Sequence, residues 1–132
     1  MPCMAWVELF AVFVVCHLVG DFLLQTNWQA AHKHGGLGHD ATARRALLSH
    51  IATYTLAFAP ALVWIGDVRG IGWAAAAAGM ISLPHLIQDD GRLVSAWARN
   101  VKGLDGSNGM LMVAIDQSFH MVALLAAALL VA

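Results

Sequence analysis

The sequence predicts an all-α protein that crosses a membrane, a four-transmembrane-helix bundle with one short amphipathic interfacial helix before the last span. Three observations predict it. Hydrophobic residues make up 60% of the 132 and charged residues only 11%, against about 25% charged in a soluble domain. The apolar residues fall into four long runs, each close to the roughly 17–25 residues that a helix needs to cross a bilayer. The ionisable residues that interrupt these runs recur at helical spacing.

The runs cover residues 5–25, 46–66, 71–88 and 109–131, and one transmembrane domain over 1–132 accounts for them all. Backbone groups find no partners in lipid, so spans are helices or closed barrels; these runs are too long and too continuous for barrel strands. The first run has no Lys or Arg before Lys33 and carries His17 and Asp21 inside it, which favours a retained span over a cleaved signal peptide. Pro60 and Pro84 are expected to kink the second and third spans. Cys3 and Cys16 read as small apolar-like residues, not as a disulfide framework.

The connections differ in character. Residues 26–45 are polar and Gly-rich, with His32, His34 and His39 expected in a flexible, solvated loop. Residues 67–70 make a tight turn. Residues 91–108 space Leu93, Val94, Trp97, Val101 and Leu104 as one face of a surface helix. The first and third connections hold six of the seven Lys and Arg residues, so the positive-inside rule places them in the cytoplasm and both termini outside. Trp6, Trp64 and Trp73 then mark the outer interface, and Trp28 and Trp97 the inner one. A net charge of −1 gives no bulk electrostatic case for nucleic acid. The partners expected are the bilayer itself and, through the small residues 74–79, a second copy of the chain in a homo-oligomer.

Charged groups inside a membrane are costly and point to function. Three spans carry a His/Asp pair at i, i+4: His17 with Asp21, His85 with Asp89, and Asp116 with His120. That spacing sets both side chains on one helix face. His50 opens the second span. With the topology above, all seven lie in the cytoplasmic half, in a layer roughly 5–17 Å deep at 1.5 Å per residue, with Asp89 at its rim. Imidazole and carboxylate together suit a divalent metal such as Zn, Mn or Fe(II), and seven donors exceed one tetrahedral site, so one or two ions are expected. A hydrogen-bonded polar network that fixes helix packing, or a proton or ion relay, would use the same residues. Gln25, Gln88 and Gln117 are candidates to hydrogen-bond the ligands from outside. Asp90 reads as a solvated helix-end charge.

The words HLVGDFLLQTNW, a helix opening with His50, HLIQD and DQSFH follow one another along the chain. This order resembles the bacterial membrane proteins grouped as domain of unknown function family 3307, whose signatures are H-x-x-G-D-[FY]-x-x-Q-T-[DN]-[KW], a later H-x-x-x-D and a closing D-Q-x-x-H. The family positions are then His17, Gly20, Asp21, Gln25, Thr26, His50, His85, Asp89, Asp116, Gln117 and His120. Asp90-Gly91-Arg92 departs from the aromatic and Lys usual after the third motif. The resemblance implies a bacterial inner-membrane location and the residue set, and no established activity.

From these residues the expectation is a metal-dependent hydrolase. Its ion would lower the pKa of a bound water and polarise a phosphoryl or acyl oxygen, with Asp21, Asp89 or Asp116 as catalytic carboxylate. Arg92, Arg99 and Lys102 would hold an anionic lipid headgroup or phosphorylated substrate. The alternatives are a divalent-cation or proton transport component, and a non-enzymatic assembly protein with a structural polar or metal core.

Overall fold

A computed structural model describes residues 5–132; Cys3 lies outside them. The described residues form α-helices, with no strand: α1 (Trp6–Leu18), α2 (Asn27–His32), α3 (Ala41–Ala57), α4 (Ala59–Arg69), α5 (Ile71–Asp89), α6 (Arg92–Lys102) and α7 (Gly109–Val131). A π-helical turn, Val19–Leu23, continues α1.

Apolar side chains divide the bundle into two ends. One core joins Leu9 and Phe13 of α1, Ala61 and Ile65 of α4, Ala74 and Ala77 of α5, and Leu124, Ala128 and Val131 of α7. These are the start of α1, the end of the α3–α4 rod, the start of α5 and the end of α7, so the four rods alternate in direction. Arg69 closes this end: it donates to the Val131 carbonyl at 2.8 Å and lies 4.5 Å from the Trp73 ring. At the other end the same rods bring His17, His50, His85 and His120 inside, all at most 2% exposed.

Two helices, Trp6–Leu23 and Gly109–Val131, are long and apolar enough to cross a membrane. The α3–α4 rod makes a third if taken as one broken span; it bends by 53° after Phe58, where Pro60 stands in the first turn of α4 and cannot donate a backbone hydrogen bond. Length and composition therefore mark two or three spans, not the four expected. The one not marked is α5, whose 19 residues include Pro84, His85, Gln88 and Asp89, which lower its hydropathy.

Two connections are better ordered than composition suggests. Thr26 and Gln29 form a reciprocal capping box, which starts α2 directly after the π turn and bends the chain back towards the bundle. The Gly-rich segment after α2 is docked, contrary to the flexible, solvated loop expected. The Gly35 amide donates to the Asp90 carbonyl at 2.8 Å, the Leu37 amide to Asp90 Oδ1 at 2.8 Å, and Gly36 lies so close to α3 that a Cβ would sit 2.7 Å from the Ala43 carbonyl. The His32, His34 and His39 side chains are exposed, as expected. Helix α6 lays Val94 and Ala98 on Ile115 of α7, with Trp97 edge-on to Phe119.

Candidate metal centre

The centre is built where α1, α3, α5 and α7 meet. The π turn re-aims Asp21: its extra residue per turn, marked by the Leu24 amide donating to the Val19 carbonyl at 2.9 Å, rotates the backbone after His17. Such turns recur at functional sites. Gly20 lies in the same turn, and a Cβ there would stand 2.6 Å from Tyr54 Cδ2. The missing side chain lets the Tyr54 ring stack on His85, with centroids 3.4 Å apart and planes 6° from parallel.

Four donors converge. His50 Nε2 and His85 Nε2 are 3.2 Å apart. Asp21 Oδ1 is 3.2 Å from each of them. Asp89 Oδ2 is 2.9 Å from His50 Nε2 and 3.3 Å from His85 Nε2. A tetrahedral ion with bonds of about 2.0–2.1 Å places its ligands about 3.3–3.4 Å apart, so these five separations match such an ion's edges to within a few tenths of an ångström. Asp21 Oδ1 approaches two imidazoles yet makes no hydrogen bond, and it is buried. A buried acceptor left without a partner costs about 1–3 kcal/mol. A bound cation at the common point would satisfy it. Asp21, His50, His85 and Asp89 can therefore hold a metal ion.

The other three candidates are placed differently. His17 has both ring nitrogens engaged. Gln117 Oε1 accepts only, so His17 Nε2–H donates to it at 2.9 Å and His17 Nδ1 accepts from the Tyr54 hydroxyl at 3.0 Å. One nitrogen each of His17, His85 and His120 also cluster within 4.8 Å, but these hydrogen bonds occupy His17. His120 Nε2 is buried and has no hydrogen-bond partner; it faces Asp89 Oδ1 and Asp116 Oδ2, each at 3.4 Å. The Asp116 side chain is 31% exposed and lines a cavity of about 200 Å³ with Asp89, Lys33, His34, Ser95 and Met112.

Gln117 also donates to Asp116 Oδ2 at 3.4 Å, so it links His17 to Asp116. Gln25, with its amide oriented by its neighbours, accepts from Lys33 Nζ at 2.8 Å and donates to the Asp21 carbonyl. Gln88 instead donates to the Phe119 carbonyl at 3.2 Å, tying α5 to α7. Arg92 and Arg99 border one surface cleft beside His34, while Lys102 lines another with Trp97. Asp90, expected as a solvated charge, is buried. Burial alone would raise its carboxyl, but the Arg92 guanidinium at 2.6 Å and the Leu37 amide outweigh that and hold it below the ordinary carboxylate range.

Two participants were not singled out from the sequence. Lys33 Nζ donates to Asp89 Oδ2 at 2.7 Å, carried there by the capped α2 turn; the signal was the Thr26-x-x-Gln29 box one turn after the first motif. Tyr54 orients His17 and His85 together, and its i+4 relation to His50 on α3 is the pattern that puts it on the same face.

No curated protein and no solved structure matches the chain. A family model does, over residues 9–132, which include all seven candidate donors. The chain belongs to the family described as protein of unknown function (DUF3307).

Proposed function

We propose that the protein is a metalloprotein of the bacterial inner membrane that holds a divalent ion, Zn, Mn or Fe(II), between Asp21, His50, His85 and Asp89. The carrying observation is the set of five donor separations of 2.9–3.3 Å among four buried side chains. A bound cation would also satisfy Asp21 Oδ1, a buried acceptor without a hydrogen-bond partner.

In this reading all four rods cross the membrane, with both termini outside and the metal centre in the cytoplasmic half. Helix α5 supports it by running between the same two ends as its neighbours and packing against α4 and α7. The polar residues of α5, His85, Gln88 and Asp89, lie on its buried face, while Leu83 and Ile87 are exposed, so its outward face is more apolar than its mean hydropathy. Trp6 and Trp73 are exposed at the apolar end, and Trp28 and Trp97 at the polar end, as interfacial belts require.

The apolar core over one half of the bundle favours an ion reached from one side, rather than passage through a protomer. The cavity at Asp89 and Asp116 favours metal-assisted hydrolysis as the chemistry, acting on a lipid or phosphorylated substrate. Asp116 lines that cavity and is the carboxylate that would take a proton from water there while the ion sits between Asp21, His50, His85 and Asp89, and Lys33 supplies positive charge at the same cavity.

Elemental analysis of purified protein tests the proposal. We expect about one divalent ion per chain, reduced at least tenfold in Asp89→Ala. Metal-free wild-type protein after growth and reconstitution with Zn, Mn and Fe(II) would overturn it.

A further inference from the structure

We infer that a single ion has two alternative positions in this protein, a closed one and an open one at the cavity, and that it loads through the open one. This rests on the metal reading above. The closed position is the Asp21, His50, His85 and Asp89 tetrahedron. The open one lies between Asp89 Oδ1, Asp116 Oδ2 and His120 Nε2, where His120 Nε2 is buried, has no hydrogen-bond partner and stands 3.4 Å from both carboxylate oxygens. Asp89 belongs to both, one oxygen to each. The open position has three protein donors and borders the 200 Å³ cavity, so it keeps room for water or a substrate oxygen, as catalytic sites do.

The two positions exclude one another because only one proton fits between the facing Nδ1 atoms of two imidazoles. His85 Nδ1 and His120 Nδ1 face each other at 3.1 Å, and a neutral imidazole has one N–H and one lone pair. When His85 Nε2 ligates in the closed position, its proton is on Nδ1 and is donated to His120 Nδ1. His120 then carries its own proton on Nε2, aimed at Asp89 and Asp116, and has no lone pair for an ion. When His120 Nε2 ligates in the open position, the roles reverse. His85 Nε2–H then faces His50 Nε2, Asp21 Oδ1 and Asp89 Oδ2, all within 3.3 Å. Each ring carries one proton in both arrangements, so the count is unchanged. In both, the vacated imidazole points its N–H at the carboxylates the ion has left. Lys33, 2.7 Å from Asp89 Oδ2, supplies a positive charge to the closed position while it is empty. The closed position has no opening of its own among the described cavities; Asp89 and Asp116 are its link to the surface.

The test uses full-length protein in detergent, saturated with Zn²⁺, freed of loose metal, and then mixed with a chelating indicator. Asp116→Asn keeps the shape and the Gln117 contact but removes the charge; Asp116→Ala removes the donor outright. Expected are one Zn²⁺ per chain in wild type and both variants, and release slowed at least tenfold in the variants. Two Zn²⁺ per wild-type chain would overturn the exclusion, and release at the wild-type rate in both variants would overturn the loading route. No Zn²⁺ in wild type would instead remove the metal reading itself, which separates the two failures.

Discussion

Replacing Gly20 by alanine isolates the contact that shapes the metal centre. Within a helical segment, Gly→Ala ordinarily stabilises by up to about 1 kcal/mol, so a free helix would gain from the change. Here the new Cβ would stand 2.6, 3.2 and 3.3 Å from three atoms of the Tyr54 ring. The ring has nowhere to retreat. It is 1% exposed, stacked on His85 at 3.4 Å and bonded through its hydroxyl to His17. Overpacking of this kind costs about 1–3 kcal/mol, and losing the hydroxyl bond adds about 0.5–1.5 kcal/mol. For a chain of this size the loss is roughly 3–15 °C in Tm. Thermal unfolding in detergent of wild type, Gly20→Ala, Tyr54→Ala and the double variant reads it directly. In the Tyr54→Ala background, Gly20→Ala should no longer destabilise, giving a coupling energy of the clash. An unchanged or raised Tm for Gly20→Ala in the wild-type background would refute the reasoning, because only the ring contact reverses the sign that helix propensity dictates.

Lys33→Met should destabilise the metal-free protein by about 1.5–3 kcal/mol, since it removes a charge-assisted hydrogen bond from the buried Asp89 carboxylate and leaves only the imidazoles around it, and Zn²⁺ should close most of that gap; a variant as stable as wild type without metal would count against the Lys33–Asp89 pair. For topology, single cysteines replacing Asp67 and His39 in a cysteine-free background should label oppositely in intact cells, with position 67 reached from outside and position 39 protected. The reverse pattern would move the metal centre to the other face of the membrane.

Local chemistry made much of this protein legible before any tertiary contact was known. An apolar run long enough to span a bilayer is helical because its backbone has no other way to satisfy itself in lipid, and i, i+4 spacing sets a His/Asp pair on one face whatever the helix packs against. The all-helical architecture, the surface helix α6 and the choice of residues at the centre follow from those two rules. What the residues do to each other does not. His17, His85 and His120 share the same motif spacing, yet Tyr54 and Gln117 occupy His17, His50 and two carboxylates surround His85, and His120 is left facing Asp116 at the cavity. Periodicity along one helix cannot distinguish these, because each assignment depends on atoms from other helices. The same holds for Lys33 and the Gly-rich segment. Composition reads them as solvated, but a capping box turns α2 back and Asp90, 53 residues from Leu37 in the chain, ties the segment down. Even the number of spans is a tertiary matter. Hydropathy scores a helix as if it stood alone, whereas the polar residues that lower the score of α5, His85, Gln88 and Asp89, are all buried against neighbouring helices.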